Sequence, residues 1–139
     1  EWYEDQLRAR VRELGLDDAV RFQGFRSPIW DAIGDADMMV VPSRGDESFG
    51  NVVIESLLAA RPVIVADHTG LREAASGFES VVRVAPDNQE AIVEGVRQVM
   101  QDWVRLREAS VLDASTAQLR LGTTRFYEDF SRAVSELHR

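Results

Sequence analysis

The sequence predicts an α/β domain with a doubly wound parallel sheet, and two observations carry that class. Short apolar runs recur at Val40-Val41-Pro42, at Pro62-Val63-Ile64-Val65-Ala66 and at Ser80–Ala85. Helical patterns separate them. Continuous apolar runs on both sides of a helical pattern indicate parallel β-α-β units covered on both faces. Strands alternate with helices until the last part of the chain, which reads as a helical tail over 113–139.

Each element has its own signal. Trp2–Leu14 carries Leu7, Val11 and Leu14 along one helical face; Gly15 stands where a C′ glycine ends a helix, with Leu16 as its apolar clasp. Val20–Phe25 alternates like a strand and stops at Gly24. Ser27-Pro28 reads as an N-cap followed by proline at the first helical position, so a short helix runs to about Ala36. Met38–Val41 is the next strand. A polar loop, Ser43–Glu47, leads into a helix whose apolar side comes from Val52, Leu57 and Ala59-Ala60. After the buried strand Pro62–Ala66 come a loop, His68-Thr69-Gly70, and a short helical piece from Arg72 to Ser76.

Ser80–Ala85, rich in valine, is another strand. Asp87, with Glu90 three residues on, predicts a capping box for a helix buried through Ile92, Val96 and Val99. Two further helical patterns, roughly 103–112 and 114–138, close the chain, the last carrying Leu119, Phe126, Phe130, Val134 and Leu137. No internal repeat, low-complexity tract or proline-rich linker interrupts them.

Composition narrows the function classes. At 139 residues the chain is one domain or part of one, large enough for a real core. A formal net charge of −8 argues against nucleic acid or an anionic membrane as the main partner. With no cysteine, thiol catalysis, disulfides and thiolate metal sites are excluded. No run reaches the ~18 apolar residues of a membrane span, and Glu-Trp-Tyr-Glu-Asp at the start is not a signal peptide. A cytoplasmic or cytoplasm-facing protein is expected, with membrane association only through parts outside this chain.

The chemistry concentrates in ESFGNVVIE, residues 47–55. Gly50 removes a side chain where a ligand could approach the backbone, and the first free amides of the helix point at that space. Such an end favours phosphate. Glu47 cannot want the phosphate, so a hydroxyl-bearing group suits it better, and Glu55, one turn past Asn51, can accept from vicinal hydroxyls. A molecule with hydroxyls at each end and a diphosphate between fits all three: a nucleotide sugar. On spacing alone an equal reading is that Glu47 complements the helix dipole and Glu55 forms a surface ion pair.

ESFGNVVIE, with seven residues between its glutamates, resembles the signature of retaining GT-B-fold glycosyltransferases that use nucleotide-sugar donors. RFQGF resembles that family's third strand and base-contacting turn, DADMMVVPS its run into the donor loop, and ARPVIVAD with GLREA its next strand and loop. Nearly all of residues 1–112 can be laid on the pattern. The resemblance implies the Rossmann-like, donor-binding C-terminal half of such an enzyme. Glu47 would bind hydroxyls of the transferred sugar and support charge at the anomeric centre. Ser48, Phe49, Gly50, Asn51 and Val52 would offer backbone amides to the diphosphate, Glu55 would hold the ribose, and Gly24 and Phe25 would border the base. No metal or other cofactor is implied. The acceptor, a glycan, lipid or small molecule, would be bound by an N-terminal domain not contained in this chain.

The sequence departs from the pattern at Arg61, where a small glycine is common, at Asn51, more often aliphatic, and in the short turn Gly77-Phe78-Glu79-Ser80. These departures bear on donor identity. Other classes stay open: a non-catalytic nucleotide-sugar sensor or interaction module that kept the fold, and a sugar-nucleotide epimerase. Asp35-Ala36-Asp37 looks like a metal-binding Asp-x-Asp but straddles a helix end and a strand start, which suits capping. His68 has no ligand cluster at metal spacing. Trp2, Trp30 and Trp103 are scattered and read as packing; Arg44 would pair with phosphate or lie solvated beside Asp46.

The resemblance also predicts topology. With a strand order of 3-2-1-4-5-6, Val20–Phe25 is the third strand, and Met38, Pro62 and Ser80 start the fourth, fifth and sixth. The first β-α-β unit, which in the family carries an Arg and a Lys that clamp the diphosphate, would precede Glu1. Val20–Phe25 and Met38–Val41 should then not pair, being about 14 Å apart at ~4.8 Å per strand. The chain is expected to be a segment of a longer polypeptide, inactive when isolated, or to have the gap filled by a partner segment.

Overall fold

The computed structural model describes residues 2–45 and 47–137. Three parallel strands, β1 (Met39–Val41), β2 (Val63–Ala66) and β3 (Val81–Val84), form one sheet in the order β1-β2-β3. Met39, Val40 and Val41 stand opposite Val63, Ile64 and Val65, which in turn face Val81, Val82 and Arg83. Among the described residues seven helices surround them: α1 (Trp2–Glu13), α2 (Trp30–Gly34), α3 (Asn51–Leu58), α4 (Thr69–Ala74), α5 (Gln89–Gln101), α6 (Trp103–Leu121) and α7 (Thr123–Leu137).

The central strand explains the apolar run. Val63, Ile64 and Val65 have no exposed surface, each such burial contributing about 1.5–3 kcal/mol. Val63 and Val65 face one layer, with Val53, Ile54 and Leu57 of α3, Leu71 and Ala74 of α4 and Ala117 of α6. Ile64 faces the other, with Val82, Val84, Val99 of α5 and Leu106 of α6. The sheet is therefore covered on both sides, as the continuous apolar runs require. Gly95 lets α5 ride close on the sheet: a Cβ there would stand 2.9 Å from Val84 Cγ1 and 3.1 Å from Ile64 Cγ2.

Helix α1 ends as expected. Gly15 has φ +64°, its N–H donates to Arg12 C=O at 3.0 Å, and Leu16 N–H donates to Val11 C=O at 3.0 Å. This is the Schellman arrangement. Its apolar face is less covered than expected, with Leu7 and Leu14 exposed.

Several expectations are corrected. Val20–Phe25 forms no strand; among the described residues nothing pairs with it, and an isolated extended segment has no ladder to join. Phe22 lies under the Arg8 guanidinium, 4.4 Å from the ring centre, while Phe25 is 95% exposed. The segment does not pair with β1. Pro28 does not open the following helix, which begins at Trp30. The α4 helix starts at Thr69, three residues earlier than expected.

Asn88, not Asp87, caps α5: its side-chain oxygen accepts from Ala91 N–H at 3.0 Å, while Asp87 takes a positive φ of +56°. Val52 is exposed, and Val53 and Ile54 take its place in the core. Trp2 and Trp30 are also exposed, whereas Trp103 packs as expected.

The tail is one long helix and one shorter one, broken at Gly122 rather than near residue 113. Gly122 approaches the preceding turn so closely that a Cβ would stand 2.3 Å from Gln118 C=O. Leu119, Phe126, Phe130, Val134 and Leu137 lie exposed. His138, the end of the expected last helix, lies outside the described residues. No helix among the described residues is long and apolar enough to cross a membrane.

Candidate functional site

The loop from Pro42 leaves the carboxyl end of β1 and enters α3 at Gly50, the side of a parallel sheet where ligands bind. Gly50 is the N-cap residue, left-handed at φ +75° and ψ +50°, with no side chain to occupy the helix end. A Cβ there would also stand 2.8 Å from Leu71 Cδ2. Val53 N–H turns back to Gly50 C=O at 2.9 Å. The amides of Asn51 and Val52 stay at the open end, where unpaired N–H groups and the helix dipole attract anions.

Glu47 is half-buried just before this end, and Glu55 is half-buried on α3 one turn inside it. Glu47 Oε1 accepts from Ser43 Oγ at 2.9 Å. Its N–H donates to Thr69 Oγ1 at 3.2 Å and its C=O accepts from Gly70 N–H at 3.0 Å. The loop after β2 thus props the loop after β1. Gly70 is obligatory in that contact, since a Cβ would stand 2.5 Å from Glu47 C=O and 2.6 Å from Ser48 C=O. Among the described residues the Glu55 carboxylate has no ion-pair partner.

The structure gathers Glu47, Ser48, Phe49, Gly50, Asn51, Val52 and Glu55 around one helix N-terminus. Gly24 and Phe25 are not part of that grouping. Gly24 turns with φ +64°, and the clefts beside it, one lined by Gln23, Arg26–Pro28 and Asp31 and one by Arg8 and Val20 to Phe22, take in neither Glu47 nor Gly50. A cleft of about 610 Å³ opens over the carboxyl ends of β1 and β3, between Tyr3, Pro42–Arg44 and Asp87–Gln89.

Arg44 forms an ion pair with Asp87 across that cleft. The hydrogen bond from its guanidinium to Asp87, and then the charge of that carboxylate, raise the Arg44 pKa above its ordinary value. Asp46, its other expected neighbour, lies outside the described residues. Asp35 follows the end of α2 and Asp37 is exposed; no three His, Asp or Glu side chains gather at metal-binding distance among the described residues.

Two departures from the family pattern have structural explanations. Arg61 donates to Ile33 C=O at 3.2 Å and to Gly34 C=O at 2.6 Å, satisfying the end of α2. The short turn at Gly77–Ser80 is fastened to α6: Arg120 donates to Ser76 C=O at 3.1 Å and lies 5.0 Å from the Phe78 ring centre.

Sequence reasoning missed Ser43, Thr69 and Gly70 as parts of the site. Thr-Gly in the loop that follows a buried strand was the available signal, because only glycine permits such close backbone approach.

Comparison with known proteins agrees with this architecture. The family model described as "Glycosyl transferases group 1" matches residues 1–113. The chain is 32% identical over 110 residues to a lipopolysaccharide core biosynthesis mannosyltransferase, LpsB, of Rhizobium meliloti, covering 78% of this chain and 31% of that protein. It is 31% identical over 113 residues to an N-acetylgalactosaminyltransferase of Campylobacter jejuni that acts on a diphospho-undecaprenol-linked sugar, covering 81% and 30%.

Among solved structures, Anabaena HepE in complex with UDP superimposes with a TM-score of 0.90 at 22% identity, over 96% of this chain and 37% of HepE. A glycosyltransferase from Rickettsia africae gives 0.91 at 17% identity, over 99% and 37%. The chain therefore spans about a third of the length of the relatives it matches. Its three-stranded parallel sheet with flanking helices is the corresponding part of the GT-B fold. The chain belongs to the group 1 glycosyl transferases.

Proposed function

We propose that this chain is the donor-binding half of a retaining glycosyltransferase that moves a sugar from a nucleotide diphosphate to an acceptor. One observation carries the reading: Glu47 and Glu55 frame the uncapped N-terminus of α3, beyond the carboxyl end of β1. Open amides suit a diphosphate and the two carboxylates suit the hydroxyls on either side of it. Structures of the HepE fold relative contain UDP and UDP-glucose, which supports a nucleotide sugar here.

In this reading the backbone of Ser48–Val52 receives the diphosphate, Glu55 binds the ribose, and Glu47 binds the transferred sugar and supports charge at its anomeric carbon. Gly24 and Phe25 border the base when the rest of the polypeptide is present. The fixed helix end stabilises the departing nucleoside diphosphate, with no divalent ion required. The acceptor, a glycan, lipid or small molecule, is bound by a domain outside this chain. We place the protein in the cytoplasm or facing it.

The test is to incubate the full-length protein with a panel of UDP-, GDP- and ADP-sugars and follow donor consumption by NMR. One donor should be consumed, giving a product of unchanged anomeric configuration. Inverted product overturns the retaining mechanism; binding of none of the panel overturns the donor-site reading.

A further inference from the structure

Glu47 belongs to a closed ring of four hydrogen bonds that passes through His68 and Thr69. Ser43 Oγ donates to Glu47 Oε1 at 2.9 Å, and Glu47 N–H donates to Thr69 Oγ1 at 3.2 Å. Thr69 Oγ1 lies 3.0 Å from His68 Nδ1, and His68 Nε2 lies 2.6 Å from Ser43 C=O, which closes the ring. Only one pattern of hydrogens satisfies every contact with a neutral imidazole. A carbonyl only accepts, so Nε2 carries the hydrogen. An amide only donates, so Thr69 accepts from Glu47 and sends its own hydrogen to Nδ1.

Two independent features point to the same loop. Thr69 has φ +38°, in the left-handed region that a β-branched residue strongly disfavours. Backbone strain of that kind persists where surrounding structure enforces it, typically beside functional sites. His68 is the N-cap residue of α4, yet its side chain makes no capping hydrogen bond. Its ring atoms are spent on Ser43 and Thr69 instead. On the other side of the ring, Gly70 seats against Glu47 and Ser48 with no room for a side chain.

We propose that His68 and Thr69 are positioning residues for Glu47. The Nε2–H imidazole fixes Ser43, and Ser43 in turn holds Oε1 of the carboxylate, leaving Oε2 to accept from the sugar. Thr69 fixes the backbone of the same residue. The inference rests on the sugar-binding role of Glu47 given above and adds the residues that aim it.

The test uses the full-length protein and its donor, comparing H68A, T69V, T69S and E47Q with the double variant H68A/E47Q. H68A and T69V should lower kcat by about tenfold or more, since a misplacement of 1 Å can cost a hundredfold. KM for the donor should stay within about twofold, because the helix amides and Glu55 hold the nucleotide. T69S, which keeps the hydroxyl, should recover most of the turnover. H68A should cost little further in the E47Q background, because residues acting as a unit are not additive.

A ring that is merely structural gives a different result: equal H68A losses in both backgrounds, or T69V turnover equal to wild type, overturns the proposal. E47Q with full turnover sinks the underlying reading of Glu47 and the proposal with it. In the unmutated protein, 15N-edited spectra should show His68 as the Nε2–H tautomer, with a resonance that moves in E47Q. An Nδ1–H tautomer, or a resonance indifferent to E47Q, also overturns it, and this readout does not depend on the His68 and Thr69 variants folding.

Discussion

Asp113 accepts two hydrogen bonds from Ser80, one from the backbone N–H and one from the hydroxyl, each 2.7 Å long. Both residues are buried, so the pair ties the middle of α6 to the entrance of β3. Hydrogen bonds to a charged group contribute about 1.5–3 kcal/mol, and an abandoned buried donor costs more than a missing exposed one.

Asp113→Ala should therefore destabilise the protein by about 3 kcal/mol, through two orphaned donors and the lost tie. Urea denaturation measures it. A change within ~0.5 kcal/mol, the usual range for a surface substitution, would show that the contact contributes nothing net.

Gly70 and Gly34 form a matched pair of probes. A methyl group at Gly70 meets the Glu47 carbonyl at 2.5 Å, whereas one at Gly34 meets nothing within 4 Å. Gly70→Ala should cost about 1–3 kcal/mol and lower turnover by displacing Glu47 and Ser48. Gly34→Ala should be neutral within about 0.5 kcal/mol. Thermal melts and donor turnover on both proteins check this, and equal behaviour would contradict the close approach of the two loops.

Chelation tests how the diphosphate is stabilised. If the α3 N-terminus carries it, transfer by the full-length protein should continue in EDTA, since fixed amides and the helix dipole replace a divalent ion. Activity lost in EDTA and restored by manganese would return attention to Asp35 and Asp37.

The β-α-β unit was legible because its signals are local and redundant. Two apolar runs, Val40–Pro42 and Pro62–Ala66, bracket a helix that opens on Gly50, and β1, α3 and β2 occupy those places. What was illegible depends on neighbours. Val20–Phe25 has the alternation of a strand, but a strand exists only where another offers it hydrogen bonds. Asp87 and Asn88 are both good N-cap residues; Asn88 prevails because Asp87 turns to Arg44.

Asp113 interrupts an apolar pattern in one dimension, yet it sits inside a continuous helix because Ser80, far away in sequence, satisfies its charge. The same limit applied at the site. Glu47 and Glu55 stand out by spacing, whereas His68 and Thr69 matter through a ring that closes only when two loops meet.

The central claim is that Glu47 faces the sugar and Glu55 faces the nucleotide, and the most direct measurement separates turnover from binding in the full-length protein. Kinetics and calorimetry should be run on Glu47→Gln and Glu55→Gln with the same donor and its nucleoside diphosphate. Glu47→Gln should cut kcat by about a hundredfold, a loss of some 2.7 kcal/mol of transition-state stabilisation, while nucleoside diphosphate affinity changes little. Glu55→Gln should weaken nucleoside diphosphate binding by about 10- to 150-fold, the equivalent of a charged hydrogen bond of ~1.5–3 kcal/mol. Equal and trivial effects of both substitutions on turnover and on binding would contradict the assignment of this helix end as the donor site.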